Sequence, residues 1–144
     1  MRGSNQQKEI FVYTHGPRQA EPVFMGVLSV SEVRGKEVFS FEYDSDYLNL
    51  DGAFEMDPHL RLYKGPQYLP ADQSNFGIFL DSSPDRWGQV LMERREAVKA
   101  KSGKRSTKRL MESDYLLSVN WRKIVASKCQ SPRHPFIPQI TIHF

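Results

Sequence analysis

The 144-residue sequence contains a single cysteine, Cys129. An internal disulfide and a cysteine-rich metal site are therefore excluded. Lys128 and Arg133 lie near that thiol in the chain and would favour thiolate, but an isolated cysteine carries no catalytic signature. No apolar run approaches the roughly 20 residues of a membrane span. The start, MRGSNQQKEIF, has no apolar core after Arg2 and does not read as a secretory signal, so a cytoplasmic location is expected. The four histidines, His15, His59, His134 and His143, stand in no HExxH or paired-ligand spacing. The GxSxG frame is missing around Ser82 and Ser83, which leaves them without a nucleophile signature. Phosphate-loop, HRD-like and DFG-like motifs are missing too, so the chain offers no identifiable set of the parts needed for phosphoryl transfer.

The sequence does contain enough to build one compact domain with a modest core: 39% hydrophobic and 26% charged residues. Charge is sorted along it. Residues 1–80 hold 7 Lys+Arg and 11 Asp+Glu, whereas residues 81–144 hold 13 and 6. Halves of opposite sign attract each other or face different partners.

The first third has strand periodicity. Ile10–Tyr13 is short and β-prone and ends at the turn signal Thr14-His15-Gly16-Pro17. Val23–Val30 is an apolar run with Gly26 inside it, which marks a bulge or a close backbone approach. A turn around Gly35 follows. Phe39, Phe41 and Tyr43 then alternate with Val38, Ser40 and Glu42, as in a half-buried strand. The gaps are too short for helical crossovers, so the pattern predicts a three-stranded antiparallel meander. Asp44 or Ser45 can cap a short helix through Leu48. From Asn49 to Asn75, Pro58, Gly65, Pro66 and Pro70 break every period, yet Phe54, Met56, Leu60, Leu62, Tyr63, Tyr68 and Leu69 argue for an ordered, packed loop.

The second half predicts two helices. Ser83 as cap, Pro84 as first helical residue and Asp85 in the first turn suit a helix start. Trp87, Val90, Leu91 and Val98 recur at helical spacing with Met92 beside them, which predicts Trp87 as a core anchor. Fading is expected near Ser102-Gly103. A second helix is predicted after a cap at Ser106 or Thr107, with an i,i+4 contact between Lys108 and Glu112. Asp81 and Asp85 have the spacing of an acid–base or cation-binding pair, but Pro84 places a helix boundary between them, which favours Asp81 in a turn and Asp85 near a helix terminus. Arg86 and the patch Arg94, Arg95, Lys99, Lys101, Lys104, Arg105, Lys108 and Arg109 form a basic series that suits a solvated face, an acidic protein or phosphate. Its cations are not interleaved with base-stacking aromatics, so direct nucleic-acid binding is the weaker expectation.

Several segments carry a family resemblance: IFVYTHGPRQAEPVFMGVLSV, FSFEYDSDYL, FLDSSPDRWGQVLMERR and SDYLLSVN. Together they resemble the amino-terminal part of HipA-like serine/threonine kinase toxins, with Pro84-Asp85-Arg86-Trp87-Gly88 followed at a distance by Asp114-Tyr115-Leu116-Leu117 as the distinctive combination. The resemblance spans residues 9–120. It implies an α+β fold with a small antiparallel sheet of three or more strands packed by two main helices, and Pro84, Asp85, Arg86, Trp87 and Gly88 as a partner-binding or structural motif. It implies a noncatalytic piece of a type II toxin–antitoxin kinase, acting in regulation or protein interaction. The alternative is a stand-alone antitoxin-like module that restrains a separate HipA-like kinase. The implied partners are a HipB-like DNA-binding antitoxin or a HipA-like kinase core. No cofactor is expected in this chain, because ATP and magnesium belong to a full-length relative.

After Asn120 the resemblance ends, where the family continues into its kinase core. The expected organisation is therefore a flexible start at 1–8, the HipA amino-terminal-like domain at 9–120, and a divergent tail at 121–144 from a truncated or shifted frame. Within that tail, Ile140–Phe144 is β-prone.

Overall fold

The computed structural model describes residues 7–16, 20–70, 72–118 and 139–143. The expectations that fall on Cys129, His134 and most of the 121–144 tail lie outside these residues. The fold is α+β. Strand β1 (Lys8–His15), β2 (Val23–Val33) and β3 (Lys36–Tyr43) form the expected meander. They are followed by helix α1 (Ser45–Leu48), strand β4 (Gln67–Tyr68), helix α2 (Gly77–Ser82) and helix α3 (Arg86–Ser102). Helix α4 is described over residues 112–118, and strand β5 (Gln139–His143) completes a sheet of order β4-β3-β2-β1-β5.

Two details differ from the sequence pattern. Strand β5 runs parallel to β1, so the sheet is mixed rather than purely antiparallel. Strand β1 begins at Lys8, within the segment assigned to a flexible start.

Glycine chemistry sets the register. The β2–β3 turn places Arg34 and Gly35 at φ 52° and 76°, the left-handed pair that matches the twist of a two-residue hairpin. At Gly26 a Cβ would lie 2.2 Å from the Glu42 carbonyl oxygen and 2.8 Å from the Phe41 ring. The β1–β2 register shifts opposite this point, between Val12 and Tyr13. Gly26 thus marks both a close approach and an irregularity, because no other residue lets β3 come this near.

One face of the sheet is the core. Ile10, Val12, Leu28, Val30, Phe39, Phe41, Tyr43 and Ile140 alternate inward along their strands, as period-2 burial requires. Tyr47 of α1, Met56 and Leu60 of the long loop, Phe76 and Phe79 at α2, and Leu116 of α4 cover them. The loop is held by Tyr43, whose hydroxyl donates to the Leu60 carbonyl at 3.2 Å and accepts from the Met56 amide at 3.2 Å. Asp57 secures its far end: one carboxylate oxygen accepts from the Ile78 amide at 3.1 Å, at the start of α2, and the other from the His59 amide at 2.9 Å.

The longest of the described helices, α3, is not one of the covering helices. It contributes no residue to the sheet core, and Ala100 is its one buried side chain. Helix α3 stands against α4 rather than over the core face of the sheet. Residues on either side of Pro84 explain why: Ser83 (ψ 156°) and Asp85 (ψ 173°) are both extended, as proline imposes on the residue before it. The chain is thus extended on both sides of Pro84, between α2, which lies on the sheet, and α3, which adds nothing to its core.

Candidate functional site

The Pro84–Gly88 element is a rigid helix start. Asp85, not Ser83, is the N-cap: its carboxylate accepts from the Gly88 amide at 2.8 Å, which satisfies one of the free donors of the first turn. The Gln89 side-chain amide donates back to the Pro84 carbonyl at 3.2 Å. At Gly88 a Cβ would lie 2.9 Å from the Pro84 Cβ and 3.2 Å from the capping oxygen, so the glycine lets the proline and the cap close over the helix. Ser83 instead ends α2, with its hydroxyl 3.1 Å from both the Phe79 carbonyl and a Glu112 carboxylate oxygen. The Ser82 hydroxyl donates to the Ile78 carbonyl at 2.8 Å. Asp81 sits exposed on α2 while Asp85 caps α3; no hydrogen bond joins them, and they do not form the pair their spacing suggests.

Trp87 is 71% exposed. Its prediction as a core anchor is wrong, because α3 turns the face carrying Trp87 and Val98 to solvent and its other side toward α4. Two polar contacts join the helices on that other side. The Tyr115 hydroxyl donates to Glu93 at 3.0 Å, and the Ser118 hydroxyl lies 2.9 Å from the Met92 sulfur. Burial and the neighbouring Glu93 carboxylate both push the Tyr115 phenol up. The helix does end where expected, with Gly103 as its C-cap.

All eight residues of the basic patch are exposed, but they are not equivalent. Arg105 makes a two-pronged ion pair with Glu96 at 2.7 and 3.2 Å, and the Lys108 amide donates to the same carboxylate at 3.1 Å. The Arg105 guanidinium, with help from that amide and from Lys99, holds the Glu96 carboxyl down at about 2. The Lys108 ammonium pairs with Asp114 at 3.1 Å, not with Glu112. The i,i+4 contact fails because residues 104–110 are not helical and Glu112 is drawn to Ser83. For the same reason neither Ser106 nor Thr107 caps α4. Asp114 does so from inside the helix, accepting from the Met111 amide at 3.0 Å. Burial pushes the Asp114 carboxyl up, but the Met111 amide, Lys108 and Lys8 outweigh it and leave it below the usual carboxylate range. Arg94, Arg95, Lys99, Lys101, Lys104 and Arg109 form no ion pair among the described residues.

A second polar cluster was not visible in the sequence. The Glu37 carboxylate on β3 accepts from both the amide (2.8 Å) and the hydroxyl (2.5 Å) of buried Ser113. Lys8 donates to that hydroxyl at 3.1 Å and lies 3.8 Å from both Glu37 and Asp114. A crevice of about 300 Å³ opens beside it, lined among others by Lys8, Glu32, Lys108 and Arg109. Ser113 is 0% exposed, so its hydroxyl is a structural donor fastening α4 to the sheet and not an accessible nucleophile. The partners lie 76 and 105 residues apart, and no local spacing signals them.

Among the described residues no group of three His, Cys, Asp or Glu side chains is placed to hold a metal ion, and no helix is long and apolar enough to cross a membrane. The site presents an exposed indole in the first turn of α3 and a row of cations that form no ion pair among the described residues. The chain matches no protein-family model, no curated protein and no solved structure.

Proposed function

We propose that this chain is a noncatalytic protein-interaction module, related to the amino-terminal part of HipA-like toxin kinases, that docks on a HipA-like kinase core through the Trp87 turn. The observation that carries this reading is the 71% exposure of Trp87 on a turn locked by Asp85, Gly88 and Pro84. A large aromatic side chain that stands in water on a fixed backbone contributes little to its own fold. It has the character of an interface anchor, since little conformational freedom is lost when a partner covers it. Acting on a separate kinase as an antitoxin-like restraint is the second reading. It is favoured by the same feature, because an exposed anchor is available to a partner on another chain.

The test is co-expression with a candidate HipA-like kinase core, followed by size-exclusion chromatography and titration calorimetry. A stoichiometric complex is expected, with Trp87→Ala weakening it at least tenfold while the circular dichroism spectrum is retained. Failure of the wild-type proteins to associate, or an undiminished affinity of Trp87→Ala, would defeat the proposal. Slower autophosphorylation of the kinase on addition of the chain would select the restraining role. Unchanged autophosphorylation within a stable complex would select the regulatory-fragment role.

A further inference from the structure

The solvent face of α3 extends well beyond the tryptophan. Arg94, Val98 and Lys101 follow Trp87 by 7, 11 and 14 residues, which at 3.6 residues per turn sets all four on one side of the helix. All four are exposed, Val98 by 64%. From Trp87 to Val98 the stripe is about 16 Å long at 1.5 Å per residue.

The charges of the helix are sorted around it. Its two carboxylates, Glu93 and Glu96, point to the other side, where Tyr115 and Arg105 hold them. Arg94 and Lys101 have no ion-pair partner among the described residues. The exposed stripe therefore alternates apolar and cationic groups and carries no anion. Neutralising it takes an anionic surface, and covering Trp87 and Val98 takes apolar side chains at matching intervals.

From this sorting we infer that the stripe docks an acidic amphipathic α-helix of a partner protein, one whose apolar ridge is flanked by Asp or Glu and runs along α3 for about three turns. This rests on the reading of the chain as an interaction module and specifies the partner's chemistry. Charge complementarity selects the acidic sign, and alternation selects a protein helix over nucleic acid. A phosphate backbone answers the cations but offers Val98 no apolar contact, and single-stranded bases stack on aromatic rings, of which this stripe has one. A bilayer fits less well, because Arg94 sits between Trp87 and Val98 in the middle of the face that would have to enter lipid.

The experiment uses the full chain and three fluorescein-labelled probes. These are an amphipathic 18-residue peptide with a leucine ridge flanked by glutamates, the same ridge flanked by lysines, and single-stranded DNA, all followed by anisotropy. The glutamate peptide is expected to bind at least tenfold more tightly than either other probe. Val98→Asp and the pair Arg94→Glu/Lys101→Glu should each weaken it at least tenfold without altering the melting temperature. Equal binding of the two peptides, tighter binding of DNA, or indifference to the Arg94/Lys101 reversal would overturn the inference. So would failure of the glutamate peptide to bind while the kinase core still does, an outcome that leaves the docking role of Trp87 standing.

Discussion

Glu37 and Ser113, 76 residues apart, share two hydrogen bonds through one carboxylate, at 2.8 Å from the Ser113 amide and 2.5 Å from its hydroxyl. Glu37 is on β3 and Ser113 is at the start of α4. Their contact fixes the helix that supplies Leu116 to the core.

Glu37→Ala should therefore destabilise the fold by about 3 kcal/mol, because two buried donors lose their acceptor and each unsatisfied group costs about 1–3 kcal/mol. Urea denaturation of the two proteins provides the comparison. Glu37→Gln keeps one acceptor oxygen and should cost about half as much. If Glu37→Ala lost less than about 0.5 kcal/mol, the contact would be no more than a surface pair.

Gly88 reverses an ordinary expectation. Gly→Ala inside a helix normally gains about 1 kcal/mol. Here the added Cβ meets Pro84 at 2.9 Å and the capping oxygen of Asp85 at 3.2 Å, so Gly88→Ala should instead destabilise by about 1 kcal/mol through loss of the cap. Asp85→Ala should cost a similar amount, and the double variant less than the sum, since both remove one interaction. Thermal melts of the four proteins decide it; a stabilised Gly88→Ala would show that the cap yields without cost.

What is legible in the sequence is local. The hairpin at Arg34-Gly35, the close approach at Gly26, the α1 cap at Asp44, whose carboxylate accepts from the Asp46 amide at 3.0 Å, and the helix end at Gly103 depend on backbone chemistry within a few residues, and each can be read from one stretch of chain. The packed nature of the 49–75 loop is legible as well, from its apolar content. The exposure of Trp87 is not, because helical spacing gives the angle between side chains but not the direction in which the helix is aimed. That direction is set by the extended pair Ser83 and Asp85 around Pro84 and by α2 and α4 already occupying the sheet. The Lys8–Glu37–Ser113 cluster is invisible for a related reason: it joins β1, β3 and α4, which only the tertiary fold brings together.

Glu96 organises the 104–108 segment and provides a pH signature. Its carboxyl lies at about 2 in the folded chain, against roughly 4.3 for an unperturbed glutamate. A depressed value means that the stabilising contribution is fully present above the unfolded value and is lost as pH falls toward about 2. Carboxyl-detected NMR should place the Glu96 titration at the acid end of the carboxylates. In Arg105→Gln it should move up toward the ordinary range, because the guanidinium is the largest cause of the shift. An unmoved titration in that variant would assign the shift elsewhere.

Tyr43 supplies the corresponding test at high pH. The side chain is 2% exposed, its ring stacks on Tyr47 at 5.7 Å, and its hydroxyl joins Met56 to Leu60. Burial pushes the phenol up to about 12, although the Met56 amide works in the opposite direction. A phenol whose folded value is raised stabilises the fold fully below its unfolded value of 10.0, and that contribution is lost as pH rises from there toward about 12. Tyr43→Phe keeps the stacked ring but leaves the Met56 amide and the Leu60 carbonyl without their partner, so it should cost about 1–3 kcal/mol at neutral pH. It also removes the ionisable group. The difference in stability between wild type and Tyr43→Phe should therefore narrow as pH rises above 10.0. Urea titrations at neutral pH and at a series of alkaline values measure this. A gap that stays constant with pH would mean that the Tyr43 hydroxyl is not the group whose proton the buried loop holds.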